Sequence, residues 1–261
     1  MELSLKGKTA LICGSSQGIG LATAKELAIL GAECILLARN KESLQNAVES
    51  LAVEHLQEHS YVVADFRDTR QIEDAVKGII SRKAVHILVN NTGGPKGGPL
   101  IDADTHEFTD TFQQHLICNH ILVQAVIAGM TAAGYGRIIN IISTSVKTPL
   151  KNLGVSNTVR WAVASWAKTL AGELAPYGIT VNNVLPGSTN TTRLKSLMAA
   201  IATKRNAPIN TIEEEMLSEI PMKRFGDAKE IAAAVTFLAT PAAGYITGIN
   251  ISVDGGKTPV L

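Results

Sequence analysis

The chain has 261 residues, 46% of them hydrophobic, with 24 Lys and Arg against 23 Asp and Glu for a formal net charge of +1. So much apolar chain can bury one large core, and it excludes a disordered protein. The near-neutral, scattered charge offers no electrostatic surface for nucleic acid.

The predicted elements alternate in type. Residues 8–13 read as a short apolar strand, and 19–30 as a helix closed by Gly31, a natural C-cap. A strand follows over 33–38, then a helix over 41–55 with Leu44, Val48 and Leu51 on one side. Residues 61–64 read as strand, 70–81 as helix and 85–89 as strand, followed by a Gly/Pro loop over 92–99. Residues 104–131 read as mostly helix, 137–142 as strand, 155–175 as helix and 179–185 as strand. A helix over 227–239 and a last strand over 250–253 complete the chain. Near-continuous apolar strands separated by helices imply a parallel sheet covered on both faces, which binds ligands beyond the carboxyl ends of its strands. Segment 188–225 breaks the rhythm with helical pieces at 192–205 and 211–219 around Pro208. It is a candidate substrate lid, or else an oligomer contact or surface decoration. No repeat, linker or second domain is seen over 1–261.

Cys13, Cys34 and Cys118 lie far apart in apolar contexts with no metal or redox spacing, so they read as small buried hydrophobes in a reducing compartment. The N-terminus reads as strand almost at once, without the regions of a signal peptide, and no stretch approaches 18 uninterrupted apolar residues. A cytoplasmic protein that does not span a membrane is expected. The histidines show no spacing that suggests a metal site.

The turn between the first strand and helix is Gly14-Ser15-Ser16-Gln17-Gly18-Ile19-Gly20. Gly14 permits a tight turn, Gly18 and Gly20 allow close approach of pyrophosphate and of helix to sheet, and the helix N-terminus faces the phosphates. A glycine turn alone is weak evidence, but this one sits in the required strand–turn–helix context. The second strand ends Ala38-Arg39-Asn40, with no carboxylate for a ribose 2′-hydroxyl. Arg39 suits a 2′-phosphate through charge-assisted hydrogen bonds, which selects NADP(H); the alternative is a solvated surface arginine. Asp65, followed by Phe66, is placed for the adenine, and Asn90-Asn91-Thr92-Gly93-Gly94 for the adenine ribose.

These motifs resemble the short-chain dehydrogenase/reductase family, nearest the 3-oxoacyl-acyl-carrier-protein reductase-like members. The resemblance covers residues 5 to 256. Its further motifs are 137–143, Asn182-Asn183-Val184-Leu185-Pro186-Gly187, Ile220-Pro221 to Arg224, Tyr245-Ile246-Thr247-Gly248 and Val253-Asp254-Gly255-Gly256. It implies a single Rossmann-type three-layer α/β/α domain, a seven-stranded parallel sheet in order 3-2-1-4-5-6-7, and a homotetramer or homodimer. It also implies a Ser, Tyr, Lys and Asn constellation. Ser143 matches the serine, but the tyrosine position thirteen residues later is Ser156, the lysine position is Arg160 and the asparagine position is His115. The pattern resembles a divergent subgroup with Thr92-Gly93-Gly94-Pro95 after the fourth strand, Ser145-Val146-Lys147-Thr148-Pro149, and Ser-Asn-x-x-Arg in place of Tyr-x-x-x-Lys.

A tyrosine near pKa 10 can be tuned toward neutrality, whereas a serine hydroxyl is a far poorer acid with a shorter reach. Arg160 stays charged and cannot shuttle a proton, but it suits holding cofactor ribose and stabilising negative charge. The proton donor is open between His115 and Lys147, each of which also has an ordinary reading as a packing residue or a solvated loop lysine. Pro186, Gly187, Thr189 and Thr191 should contact the nicotinamide amide or the pyrophosphate, Thr191 through its hydroxyl. Arg193, Lys195, Lys204 and Arg205 make segment 188–225 basic, which suits an anionic or phosphopantetheine-linked substrate or simply a solvated face. The expected function is an NADP(H)-dependent oxidoreductase acting on a carbonyl/hydroxyl pair, with a small-molecule or acyl thioester substrate. The alternative is a catalytically silent NADP(H)-binding sensor or oligomer partner.

Overall fold

Strands that lie parallel need crossovers, and helices used as crossovers cover both faces of the sheet. The strands are β1 Thr9–Cys13, β2 Glu33–Ala38, β3 Ser60–Val63, β4 Ile87–Asn90, β5 Gly136–Ile141, β6 Ile179–Pro186 and β7 Asn250–Val253. In the computed structural model, which describes residues 1–260, they form one seven-stranded sheet in the order β3-β2-β1-β4-β5-β6-β7. Every pairing is parallel. The helices are α1 Gly18–Ile29, α2 Lys41–Glu49, α3 Thr69–Ile80, α4 Thr105–Phe112, α5 Cys118–Ala132, α6 Gly154–Leu174, α7 Thr192–Arg205, α8 Ile209–Ser218 and α9 Ala228–Ala239.

Successive strand residues point to opposite faces, so each strand feeds two cores. On one face Ile12, Leu36 and Ile139 pack under α1, α2 and α9 through Leu27, Leu44 and Val235. On the other, Leu11, Leu37 and Ile138 pack under α3, α5 and α6 through Ile72, Leu122 and Leu170. Each fully buried side chain of this kind contributes about 1.5–3 kcal/mol. The strand positions agree with the apolar runs in the sequence.

The predicted helix over 41–55 stops at Glu49, where the Ser50 hydroxyl donates to the Ala47 carbonyl at 2.8 Å. Polar side chains then anchor the connection. Gln57 donates to the Ala28 carbonyl at 2.7 Å, and the His59 ring bridges the Cys34 amide at 3.0 Å and the Ala52 carbonyl at 2.8 Å. The run from Thr105 to Ala132 carries a π-helical turn, Gln113–Ile117, between α4 and α5. At 28 residues and a mean hydropathy of 1.4 in its most apolar window, it is long and apolar enough to cross a membrane. Its length and average hydropathy reach that range without any uninterrupted apolar run. Its Leu122, Val126 and Met130 are core residues packed against the sheet.

A polar ladder crosses this otherwise apolar sheet. Asn90, Asn140, Asn183 and Asn250 are in register on adjacent strands. Each side-chain amide donates to the next carbonyl, at 2.8, 2.9 and 2.8 Å. Asparagine is disfavoured in strands, and a buried amide is tolerated when it is paired. The Asn90 Oδ1 at the end of the chain of bonds has no partner. Segment 188–225 carries a small core of its own, formed by Leu194, Met198, Ala202 and Ile212.

Replacing Asn140 with Ala strands both its neighbours in the ladder. The expected loss is at least about 2 kcal/mol in urea denaturation with an unchanged slope, since each orphaned buried group costs about 1–3 kcal/mol.

Candidate active site

The β1–α1 turn is shaped by contacts that only glycine allows. Gly14 and Gly18 have φ of +58°, and a Cβ on Gly20 would stand 2.3 Å from the Gly14 carbonyl oxygen. The Ser15 hydroxyl fastens the turn, donating to Ile12 O at 2.8 Å and accepting from Leu37 N at 3.1 Å. Asn91 does so from β4, donating to Gly14 O at 3.1 Å and Cys13 O at 3.3 Å. At the N-cap of α1, Gln17 makes no side-chain capping bond. The first amides of the helix are therefore open to an anion, flanked by Ser16 and Ile19.

The other predicted cofactor residues lie at the same edge of the sheet. Arg39 is exposed and enters no ion pair among the described residues. Asn40 caps α2, its Oδ1 accepting from Ser43 N at 2.8 Å. Asp65 grips Arg67, 2.6 Å from its Nη2, and that bond holds the carboxyl below its usual range. Phe66 packs into the second core, and its carbonyl accepts from the Cys118 thiol at 3.3 Å. Burial pushes that thiol up to about 12, so Cys118 is an inert packing group. No side chain crowds Gly93, whereas a Cβ on Gly94 would meet Arg193 Nη2 at 2.6 Å.

Across the groove, Gly187 packs against Asp254, whose Cα would be 2.7 Å from an added Cβ. Thr189 follows Pro186-Gly187, and its hydroxyl donates to Gly187 O at 3.0 Å. The Thr191 hydroxyl donates to Thr189 O at 3.2 Å and accepts from Leu194 N at 3.4 Å. It thus caps α7, and a cofactor contact would use what lone-pair capacity remains. The Thr191 methyl lies 3.6 Å from where a Gly18 Cβ would be, so the base of α7 and the glycine turn flank one groove.

At the end of β5, Ser143 Oγ accepts from Ser145 N at 3.1 Å, which leaves its hydroxyl proton free to donate. The loop after it is pinned to α6, where Trp161 Nε1 donates to Ser145 O at 3.0 Å and Asn157 Nδ2 to Leu150 O at 2.9 Å. The sequence reading quoted Asn157 only as part of the Ser-Asn-x-x-Arg pattern and missed Trp161; their spacing of four on one helix face was the available signal. Lys147 ends the short 3-10 turn Thr144–Val146, half-buried. Ser156 is half-buried in the first turn of α6, beside a cleft of about 200 Å3 lined by Lys96, Pro99, Asp102, Glu107, Val155 and Lys204.

Arg160, one turn deeper, is 8% exposed. Its Nη1 donates to Ile141 O at 3.0 Å, and its Nε has no partner. Burial and then the charge of Arg193 push its pKa down to about 10. His115 is 2% exposed in the π-helical turn, a departure from α-helix that often marks functional positions. Its Nδ1 bonds the Thr92 hydroxyl, a partner the sequence reading missed. Burial first, then Arg160, hold its pKa well below the usual histidine value, against a hydrogen bond with the Gly93 backbone. Arg193 reaches over from α7 to donate to Gly94 O at 3.0 Å and Pro95 O at 3.2 Å.

A glycine-cradled anion site at a helix N-terminus, at the reversal point of a parallel sheet, defines a dinucleotide-binding protein. The family model described as enoyl-(acyl carrier protein) reductase matches residues 14–258. The chain belongs to that family, within the short-chain dehydrogenase/reductases, and so to oxidoreductases that use an NAD(P)-type cofactor. It is 32% identical to the NADPH-dependent reductase BacG of Bacillus subtilis, over 96% of this chain and 97% of that one. It is 35% identical to the 3-oxoacyl-acyl-carrier-protein reductase FabG of Vibrio cholerae, over 97% and 98%. The L-sorbose reductase of Gluconobacter frateurii, solved with NADPH and L-sorbose, superposes with a TM-score of 0.93 at 29% identity and 100% coverage of both chains. The crystal structure of YwfH, an NADPH-dependent reductase involved in bacilysin biosynthesis, gives 0.91 at 30% identity, over 97% and 99%.

Two outcomes follow. Gly20→Ala forces the turn open; it should lower stability by about 1–3 kcal/mol and weaken NADPH binding, read by denaturation and nucleotide fluorescence. His115 has a folded pKa below its unfolded value near 6.5, so below that pH the unfolded chain binds a proton that the folded site refuses. Its stabilising effect is complete above about pH 6.5 and is lost as pH falls toward the folded pKa. Thermal melts from pH 8 downward should show a steeper decline for the native chain than for His115→Asn, with the shared contribution of His86 cancelling.

Proposed function

We propose that the protein is an NADP(H)-dependent reductase that interconverts a carbonyl and a hydroxyl. The observation that carries this is the conjunction of the open α1 N-terminus and unpaired Arg39 with the free Ser143 hydroxyl and the buried Arg160 charge across the groove. The residues present fit the cofactor. A Cβ at Gly20 would fill the space that closes its cradle, the α1 amides suit its pyrophosphate, and Arg39 suits its 2′-phosphate. When bound, the dihydronicotinamide supplies a hydride to the carbonyl carbon.

This chain's residues then handle the oxygen. Ser143 donates a hydrogen bond to the carbonyl, and Arg160 stabilises the negative charge that develops there, an electrostatic role that needs no proton transfer. Ser156, in place of a phenol, is too weak an acid to protonate the alkoxide. His115 is neutral at neutral pH, so it relays a proton between water and the site through Thr92 rather than storing one. Lys147 is the second route. Segment 188–225 acts as the substrate lid, its separate core allowing it to move as a unit.

The substrate is a small molecule or an acyl thioester, and the protein acts in the cytoplasm. Exposed Phe112 and Ile117 on the α4–α5 face and Trp161 on α6 suit contact with a second copy, in a homodimer or homotetramer. The second reading, a catalytically silent NADP(H)-binding protein, is favoured by one observation: Ser156, whose hydroxyl is far too weak an acid to donate, stands where the family tyrosine would.

The test is consumption of NADPH against a panel of ketones, ketoacyl thioesters, sugars and quinones. Arg39→Ala should weaken NADPH about tenfold or more while sparing NADH, since a hydrogen bond to a charged group is worth about 1.5–3 kcal/mol. Ser143→Ala should lower kcat by about 10²–10³. Tight NADPH binding without turnover across all classes supports the silent reading, and failure to bind NADPH overturns both.

A further inference from the structure

A buried guanidinium in a protein interior ordinarily faces a carboxylate, because an unpaired charge there is costly. Arg160 has none. Its bond to the Ile141 carbonyl satisfies one corner of the fork, and its Nε is buried without a partner. The nearest ionisable neighbours add no negative charge. Arg193 is a second cation, bound only to the carbonyls of Gly94 and Pro95, and His115 is held neutral. The acids that line the adjoining cleft, Asp102 and Glu107, share it with Lys96 and Lys204. The inner site therefore carries about two positive charges and no counter-charge.

The cofactor's charged groups have partners other than Arg160. Its phosphates belong at the α1 N-terminus and at Arg39, while the ribose hydroxyls expected near Arg160 are neutral. A plain ketone, a sugar or the reacting end of an acyl thioester is neutral as well. We propose that the substrate carries a carboxylate on the same small molecule as its reducible carbonyl, and that Arg160 and Arg193 bind it. This rests on the reading of the protein as an NADPH-dependent reductase and narrows its substrate class. A carboxylate matches the fork of a guanidinium, and Arg193, bonded to the loop next to Gly93, lies near enough to Arg160 and His115 for its charge to act on both. Because Arg193 comes from segment 188–225, binding the carboxylate also draws that segment over the site. To do so, Arg193 gives up one or both of its bonds to the Gly94–Pro95 loop.

The test uses the full chain saturated with NADPH. Pyruvate, acetoacetate and levulinate, which place the carboxylate at increasing distance from the ketone, are compared with their methyl esters by calorimetry and by turnover. At least one acid should bind about tenfold or more tightly than its ester, the scale of a lost charge-assisted bond. Arg193→Met should remove most of that preference and Arg193→Lys restore part of it, with the NADPH dissociation constant and melting temperature of both variants near the native values. Arg193 is varied because removing Arg160 risks the fold.

Equal binding of acid and ester in all three pairs, or no binding of any acid, overturns the proposal. So does an Arg193→Met variant whose NADPH affinity falls as far as its affinity for the acid, since the anion would then be the cofactor's phosphate. Turnover of neutral ketones with no preference for acids leaves the reductase standing and removes only this inference. Absence of NADPH binding removes the reductase reading itself.

Discussion

The contact between Gly20 and the Gly14 carbonyl is the constraint on which the rest of the site depends. A Cβ at Gly20 would lie 2.3 Å from that oxygen, so no other residue lets α1 start so close to the end of β1. That closeness aims the helix's free amides over the sheet edge, where the strands reverse direction of winding between β1 and β4. Ser15 and Asn91 then fix the turn from β2 and β4, so the phosphate cradle is joined to three adjacent strands. The Thr191 methyl beside Gly18 brings α7 to the same place. A single steric requirement thus sets the distance between the cofactor cradle and the segment that covers it.

The opposite half of the groove is organised by charge. Arg160 is placed by α6, which is itself held to the β5 loop through Trp161 and Asn157. Those bonds tie α6, which carries Arg160, to the loop that follows Ser143. The amide ladder runs beneath them, from Asn90 to Asn250, and ties together the four strands that carry these loops. Preorganised donors in a site that excludes water contribute more than mobile ones, because nothing reorients as charge develops.

Much of the architecture was legible in the sequence. Parallel strands buried on both faces appear as apolar runs, and the glycine turn has a spacing dictated by sterics. The end of α2 was not legible, because Gln57 and His59 hold the connection through partners more than twenty residues away. The ladder was hidden for a related reason: a single asparagine in a strand reads as a weak strand residue, and its role exists only in register with three others. Asn40 and Thr191 were read for the cofactor by position, while local backbone amides claim them as caps. Ser143, Arg160 and His115 were picked out by spacing as candidates. That Arg160 lacks a counter-charge and that His115 meets Thr92 are facts of folding, since neither depends on neighbours in the chain.

The two electrostatic features of the site bear on each other. The pKa of His115 is held down first by burial and second by the charge of Arg160, with Arg193 adding to it. The field of the arginines changes when an anion arrives. An anion bound between them offsets their charge at the imidazole, and an opposite charge nearby favours the protonated form. A carboxylate substrate would therefore raise the pKa of His115 toward its ordinary value as it binds. That change runs against burial, which remains the larger cause of the low pKa. The same negative charge that would offset Arg160 would thus favour a proton on His115, the form a relay through Thr92 would need.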